Sequence, residues 1–272
     1  MDYIIERQKK FSLGLKELIR YKELFYFFTW RDIKVKYKQA ALGFLWAVLQ
    51  PLMMMLIFTL IFSKGLKVSS EGIPYPVFAL SGLIIWNIFS TGLMNSANSM
   101  VANANIIKKI YFPRLIIPMS SILIALFDFC FALVIYLVVI FVYKQPVNWF
   151  ILLYALPLSI GLTILTTFGL GTLLSALNVK YRDFQYVIPF LIQFLLFINP
   201  VLYSSSIFKE GILSWVMKLN PLANAINLSR SAFTGQPVDW VGVGLGAMVA
   251  SFLFFIGIYV FRKTEAYFAD IA

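Results

Sequence analysis

Long apolar runs dominate this chain and constrain its fold more than any other feature. A bilayer crossing takes about 20 apolar residues in a helix, whose backbone groups pair within the segment. Runs of this kind lie at Leu42–Phe62, Tyr75–Asn95, Leu115–Val142, Trp149–Leu177, Val187–Tyr203 and Val241–Phe261. We therefore predict an all-α integral membrane protein with six transmembrane helices, of which the fifth is the shortest and has a proline near each end.

The overall composition supports the same class and excludes several others. Of the 272 residues, 61% are hydrophobic and 13% charged, whereas soluble domains have roughly 25% charged residues. The chain thus has too little polar surface for a water-facing globule. With one cysteine, Cys130, and no histidine, an internal disulfide is impossible, and we expect no metal or cofactor to be bound by this chain.

The net charge of +11 follows the predicted topology and does not indicate nucleic-acid binding. If the N-terminus is cytoplasmic, 17 of the 23 lysines and arginines lie in inside segments. The six outside cations are Lys64, Lys67, Lys144, Lys209, Lys218 and Arg230. This asymmetry predicts that both termini face the cytoplasm. The polar or amphipathic first forty residues do not resemble a cleavable signal peptide.

The segment before the first span has two notable patterns. Apolar residues recur at helical spacing and alternate with charged ones, which predicts an amphipathic helix in the membrane interface, serving at least as an anchor. These apolar residues are Phe11, Leu15, Leu18 and Ile19. A basic set, Arg31, Lys34, Lys36 and Lys38, then precedes the bilayer. It is placed to attract a lipid phosphate, although topological bias explains the same charges.

Several motifs together resemble a known family. They are RDIKVKYKQAALGFLWAVLQPL in and after the basic segment, KKIYFPRLIIP between spans two and three, NVKYRD at 178–183, and the INP and NPLA pair at 198–200 and 220–223. In this order, over nearly the whole chain, they resemble the permease subunit of type-2 ABC exporters. Within that superfamily they resemble the branch that exports O-antigen, capsular polysaccharide or teichoic acid on a lipid carrier.

The resemblance implies one ABC exporter transmembrane domain over residues 1–272. Its parts are a cytoplasmic interface segment (1–41), spans one to five (42–203), an external gate region (204–240), span six (241–261) and a cytoplasmic tail (262–272). It also implies a homodimer with twelve spans, bound to two copies of a separate ABC ATPase subunit that uses ATP and magnesium. In agreement, the chain has no phosphate-binding Gly-x-x-x-x-Gly-Lys-Ser/Thr motif of its own.

Resemblance to the family suggests a coupling helix in the cytoplasmic loop between spans two and three. We expect it from Asn105 to Tyr111, ending before Pro113. Tyr111 and Phe112 would insert into an apolar cleft of the ATPase, surrounded by basic residues that pair with acidic groups. These basic residues are Lys108, Lys109 and Arg114. The alternative is a short inside loop with topological charges only.

Residues 204–240 form the longest predicted external connection, and its middle is apolar. The resemblance implies two short re-entrant helices here, which act as a gate, with Pro200 and Pro221 breaking the helices at the turns. An ordinary external loop is the alternative.

Aromatic side chains are candidates for a sugar conduit, because sugar C–H faces contact π surfaces in an orientation-tolerant way. Core packing or lipid contact explains such residues equally well. The candidates are Tyr37, Phe44, Trp46, Phe58, Phe194, Phe197 and Tyr203.

Asp128 is the only acid deep in a predicted span, and such residues are functional candidates by default. Because no lysine or arginine lies within the spans to partner it, we expect a structural role. Gly242, Gly246 and Ala250 form a small-residue ladder on the last span that permits close packing.

The sequence thus predicts the membrane subunit of an ATP-driven exporter of lipid-linked polysaccharide in the bacterial cytoplasmic membrane. A type-2 ABC permease for a drug or small lipid is the nearest alternative. A membrane glycosyl- or phosphotransferase would need clustered carboxylates for a metal, whereas the six aspartates are scattered. A secondary transporter would need intramembrane ionisable residues and internal repeats.

Overall fold

All regular secondary structure in the described part of the chain is helical. The computed structural model describes residues 19–38, 45–66, 68–208, 211–235 and 237–265. The helices are α1 (Lys22–Lys38), α2 (Leu45–Phe58), α3 (Tyr75–Ala102), α4 (Ala104–Ile107), α5 (Ile116–Val142), α6 (Trp149–Lys180), α7 (Phe184–Ile198), α8 (Ile212–Leu219), α9 (Pro221–Thr234) and α10 (Trp240–Thr264). A π-helical segment, Thr59–Gly65, extends α2, and a 3₁₀ turn covers Ser205–Phe208.

Five of these helices are long and apolar enough to cross a membrane, which confirms the predicted all-α membrane class. They are α2 with part of its extension, at Leu45–Ser63, together with α3, α5, α6 and α10. The predicted fifth span corresponds to α7, which is apolar but has 15 residues. At 1.5 Å per residue it extends about 22 Å, short of the ~30 Å hydrocarbon core. A sixth crossing therefore stays a prediction.

Helix α3 forms the centre of the bundle and is buried along most of its length. It packs most extensively against α5 and α6, while α6 also packs against α9 and α10. The helices α2 and α7 lie at the periphery with large exposed apolar side chains. The core is thus built by four long helices, and two apolar helices have faces that no other described residue covers.

The two ends of the bundle differ in what lies against them. At one end, which we call the Phe28 end, α3, α6 and α10 terminate, α5 begins, and Phe28 of α1 is buried in an apolar cluster with residues from all four. At the other, the Arg230 end, α9 packs against α3 and α6. Of the predicted amphipathic helix, Phe11, Leu15 and Leu18 lie outside the described residues, and Ile19 is exposed.

Glycines set the closest helix contacts. On α6, a Cβ at Gly169 would lie 2.6 Å from the carbonyl carbon of Leu253 and the nitrogen of Phe254 on α10. The predicted ladder on α10 is also confirmed as a close contact, because a Cβ at Gly242 or Gly246 would lie 2.7 Å from the Asn224 amide of α9. Ala250, the third member, is fully buried.

Replacing Gly169 with alanine is expected to destabilise the protein, since the backbone of α10 must move to admit the methyl group. We expect Gly169→Ala to lower the melting temperature of the detergent-solubilised protein by about 3–8 °C. Gly161→Ala on the same helix is the matched control, because a Cβ there meets nothing within 4 Å. Equal melting temperatures for the two variants would contradict the assigned contact.

Candidate functional site

Two cations of the basic set on α1 pair with acidic side chains, and the other two do not contact a described acidic residue. Arg31 donates to Asp32 and to the side chain of Asn103, the latter at 2.7 Å, and so joins α1 to the end of α3. Lys36 forms an ion pair with Asp128. Lys34 and Lys38 are exposed, and the Lys34 ammonium lies 5.3 Å from the centre of the Trp30 ring. Two of the four predicted phosphate-binding residues thus already have acidic partners.

Asp128 is the focus of a polar cluster inside the bundle. Its carboxylate accepts hydrogen bonds from the Lys36 ammonium and the Tyr37 hydroxyl, and its side chain is 19% exposed. Burial, reinforced by the bond to Asp128, raises the pKa of Tyr37 above its ordinary value, so the hydroxyl remains a donor. The expectation that Asp128 lacks a cationic partner was wrong. The partner comes from α1, which precedes the spans in sequence but packs along α5.

A cavity of 220 Å³ lies beside this cluster, between α1, α2, α3 and α5. Its wall combines the polar cluster with amides, a hydroxyl and one indole ring. The lining residues are Lys36, Tyr37, Trp46, Ala47, Gln50, Pro51, Asn87, Thr91, Asp128, Phe129 and Ala132. The site can therefore hold a small polar molecule at a level near the middle of α3 and α5.

The loop between α3 and α5 contains less helix than expected. The predicted helix from Asn105 to Tyr111 is limited to one turn, α4, after which the chain turns at Lys108 and Lys109. A four-residue helix cannot extend toward Pro113, because Ile110 to Pro113 adopt no regular structure. The exposed residues of this loop are Asn105, Lys108, Lys109, Ile110 and Tyr111.

Tyr111 and Phe112 point in different directions, which corrects the predicted pair of anchors. Tyr111 is 68% exposed, whereas Phe112 is 4% exposed and packs its ring against Phe28 with 5.6 Å between centroids. Pro113 is also buried. The guanidinium of Arg114 donates to the backbone carbonyl of Glu265, at the end of α10. Phe112 and Arg114 therefore fix the loop to α1 and α10, while Tyr111 faces outward.

The two Asn-Pro motifs meet at the Arg230 end. Asn199 ends α7, and its side-chain oxygen accepts a 3.0 Å hydrogen bond from the Asn220 amide. Asn220 caps α9 by accepting from the amides of the next two non-proline residues, and Pro221 occupies the first helical position, where no N–H is needed. Pro200 follows Asn199 in the turn. Both prolines lie at helix breaks as predicted, and their role in gating stays a prediction.

Arg230 is the residue that the sequence reasoning missed, having counted it as an outside cation. It is 3% exposed. Its guanidinium donates to the Ser81 hydroxyl and to three carbonyls, those of Pro200 at 2.6 Å, Val201 at 2.8 Å and Phe78 at 3.2 Å. It also lies 3.7 Å from the centre of the Phe78 ring. The available signal was a single charge within the otherwise uncharged segment 221–234.

The described members of the predicted aromatic conduit do not come together within one chain. Tyr37 and Trp46 line the cavity, and Phe58 packs on Phe62 beside α2. On α7, Phe194 and Phe197 are 52% and 63% exposed. The Tyr203 hydroxyl donates to carbonyls at the end of α7, and Phe44 lies outside the described residues. The aromatics thus form two separate groups, one at the cavity and one on the exposed face of α7.

Residues 23–234, from the start of α1 to the end of α9, match the sequence profile described as ABC-2 type transporter. This chain belongs to the ABC-2 transporter family. It is a multi-pass membrane protein of the permease type. The match includes the Asp128 cluster, the Tyr111 loop and both Asn-Pro motifs, so every candidate site described above lies within the part that defines an ABC-2 permease.

Curated relatives cover nearly the whole ABC-2 chain. An O-antigen export system permease protein RfbA from Klebsiella pneumoniae is 32% identical over 245 residues, which are 89% of this chain and 92% of the relative. A protein of the same name from Myxococcus xanthus is 32% identical over 80% of this chain and 83% of its own length. Polysialic acid transport protein KpsM from Escherichia coli is 27% identical over 86% and 91%.

Removing the ammonium of Lys36 is expected to destabilise this ABC-2 permease, since the Asp128 carboxylate would remain in apolar surroundings with only Tyr37 as donor. We expect Lys36→Met to lower the melting temperature in detergent by about 4–12 °C, reflecting an uncompensated partly buried charge. The double variant Lys36→Met/Asp128→Asn should recover most of this loss.

Lys34→Met is the control, because Lys34 is exposed on the same helix. The ion pair would be contradicted if the double variant were less stable than Lys36→Met, or if Lys34→Met had the same effect.

Proposed function

We propose that this chain is the membrane-spanning subunit of an ATP-driven exporter of lipid-linked polysaccharide. The substrate would be of the O-antigen, capsule or teichoic acid type, moving from the cytoplasmic to the outer side of the bacterial inner membrane. The observation that carries this proposal is the similarity over at least 80% of the chain to O-antigen permeases and over 86% to a polysialic acid transport protein. By name, these relatives export O-antigen or transport polysialic acid.

The uncovered faces of α2 and α7 support a homodimer with a channel between the copies. Met53, Leu56 and Leu60 on one helix, and Phe190 and Phe194 on the other, are exposed large apolar side chains. Phe190 and Phe194 stack with 6.3 Å between centroids, so they form one continuous aromatic surface. A second copy placed against these faces would give twelve crossings and line the path with rings that contact sugars weakly.

The exposed part of the loop after α3 suits docking of two ATPase subunits, one on each copy. Tyr111 and Ile110 are apolar and exposed, with Lys108 and Lys109 beside them. An aromatic anchor with a charged rim is the pattern of an interface hot spot. Because Phe112 is buried against Phe28, movement of the loop would be transmitted to α1 and to the start of α5. The Phe28 end would then be cytoplasmic, as would both termini.

The basic helix α1 is the proposed binding site for the carrier diphosphate. Lys34 and Lys38 are exposed, and Arg31 and Lys36 lie within the same helix. Cations next to a membrane attract an anionic headgroup with about 1 kcal/mol each. A diphosphate with several negative charges would also compete with Asp32 and Asp128 for the two paired cations.

Truncating Tyr111 should weaken the binding of the ATPase encoded beside this chain. We expect Tyr111→Ala to reduce the affinity about 10- to 30-fold, the loss of one hot-spot side chain, while the melting temperature of the isolated permease is unchanged. Affinity is measured by titrating the purified ATPase onto the permease in nanodiscs.

Tyr143→Ala, an exposed tyrosine at the far end of α5, is the matched control and should bind like the wild type. Phe112→Ala should instead lower the melting temperature of the permease alone, since Phe112 is buried. Unchanged ATPase affinity for Tyr111→Ala would contradict the docking assignment.

A further inference from the structure

The cavity beside Asp128 contains polar side chains that are not used by the fold. Gln50, Asn87 and Thr91 form no side-chain hydrogen bond with any residue in the described ranges. Asn87 and Asp128 lie near the middle of α3 and α5, two helices long enough to span the membrane. Asn87 and Thr91 are half-buried and Gln50 is exposed, so these amides and this hydroxyl are open to a molecule that enters the cavity. Their convergence on one cavity therefore indicates a polar ligand.

The chemistry of the wall selects among ligand classes. A free phosphate or diphosphate inside the cavity would be repelled by the Asp128 carboxylate, and an apolar drug would leave Gln50, Asn87 and Thr91 unpaired. A polyhydroxylated ring satisfies both conditions, because each hydroxyl can donate to a carboxylate or amide oxygen and accept from an amide or hydroxyl. Trp46, which is 54% exposed on the same wall, presents a π face to the C–H groups of such a ring.

The size and position of the cavity restrict which sugar can bind. A volume of 220 Å³ is several times the ~30 Å³ that one water occupies in the liquid, which is room for one sugar ring. Lys36 lies on the cavity wall, and its helix carries Lys34 and Lys38. If these lysines bind the diphosphate, the ring in the adjacent cavity must be the first sugar of the glycan, the one bonded directly to the phosphate.

We propose that this cavity is a carbohydrate subsite for the single sugar bonded directly to the carrier diphosphate, a deeper reading that rests on the proposed function. Gln50, Asn87 and Thr91 hydrogen-bond its hydroxyls, and Trp46 covers its apolar face. The Asp128 carboxylate accepts hydrogen bonds from the hydroxyls of the sugar, while the Lys36 ammonium pairs with the phosphate. The permease thereby distinguishes a loaded carrier lipid from the bare carrier, which has the same tail and no sugar.

The test compares two lipids on the complete complex of the permease and its ATPase in nanodiscs. One is a polyprenyl diphosphate with a single N-acetylglucosamine, and the other, the bare lipid, is the same polyprenyl diphosphate with a methyl ester in place of the sugar, so that both are diesters of equal charge. Equilibrium binding of each radiolabelled lipid gives a ratio of dissociation constants that cancels the contributions of the tail and the charge. We expect the wild type to bind the sugar-bearing lipid about tenfold more tightly, the effect of one or two net hydrogen bonds.

Thr91→Val and Gln50→Leu should reduce this ratio to between one and about threefold, and leave the affinity for the bare lipid unchanged. Ser90→Ala, a change of the neighbouring hydroxyl on α3 that does not line the cavity, should keep the wild-type ratio. Two variants on different helices are used so that misfolding of either one does not decide the result.

Equal binding of the two lipids by the wild type, or an unchanged ratio in both variants, would overturn the subsite and leave the exporter proposal intact. If neither polyprenyl lipid binds more tightly than phosphatidylglycerol in the same nanodiscs, the subsite and the proposed function are both overturned.

Discussion

A backbone group that is buried away from water must be paired by the protein itself, and this applies wherever a helix breaks inside the bundle. The guanidinium of Arg230 does this at one end of the bundle, where it binds the carbonyls of Pro200 and Val201 after α7 ends and that of Phe78 in α3. The Asn199–Asn220 hydrogen bond joins the end of α7 to the start of α9. The positions of α3, α7 and α9 all depend on this paired set, which permits an irregular turn among buried apolar helices.

The requirement that buried polar groups be paired also applies to the Asp128 cluster. Asp128 is paired with Lys36 and Tyr37 of α1, and this contact holds α1 along α5. Beside it, however, lies a cavity whose amides and hydroxyl are not paired within the described chain. At the Arg230 end the polar groups of this set, Arg230, Asn199 and Asn220, are paired, and their role is structural. At the Asp128 cavity the amides and the hydroxyl remain available to bind a ligand. This difference separates polar groups that stabilise the fold from those that form a binding site.

Hydropathy and proline placement predicted much of this architecture. The five long spans and the helix breaks at Pro200 and Pro221 depend on local composition, which a single sequence records. The pairing of Lys36 with Asp128, the burial of Phe112 and that of Arg230 depend on contacts between residues 29 to 152 positions apart in the chain. From charge and aromaticity alone, Lys36, Phe112 and Arg230 were each predicted to face solvent or a partner. The end of α7 could not be predicted from hydropathy, because the apolar run continues past the residue at which the helix ends.

The central claim is that this ABC-2 permease moves a lipid-linked polysaccharide across the membrane, using a separate ATPase. The most direct test is to reconstitute both proteins in sealed liposomes and to follow the arrival of a fluorescent lipid-linked glycan in the opposite leaflet with a membrane-impermeant lectin. The account predicts lectin-accessible glycan that increases only when ATP and the permease are both present. Glycan that stays protected, in vesicles where the same proteins move a short-chain lipid or a drug with ATP, would contradict it.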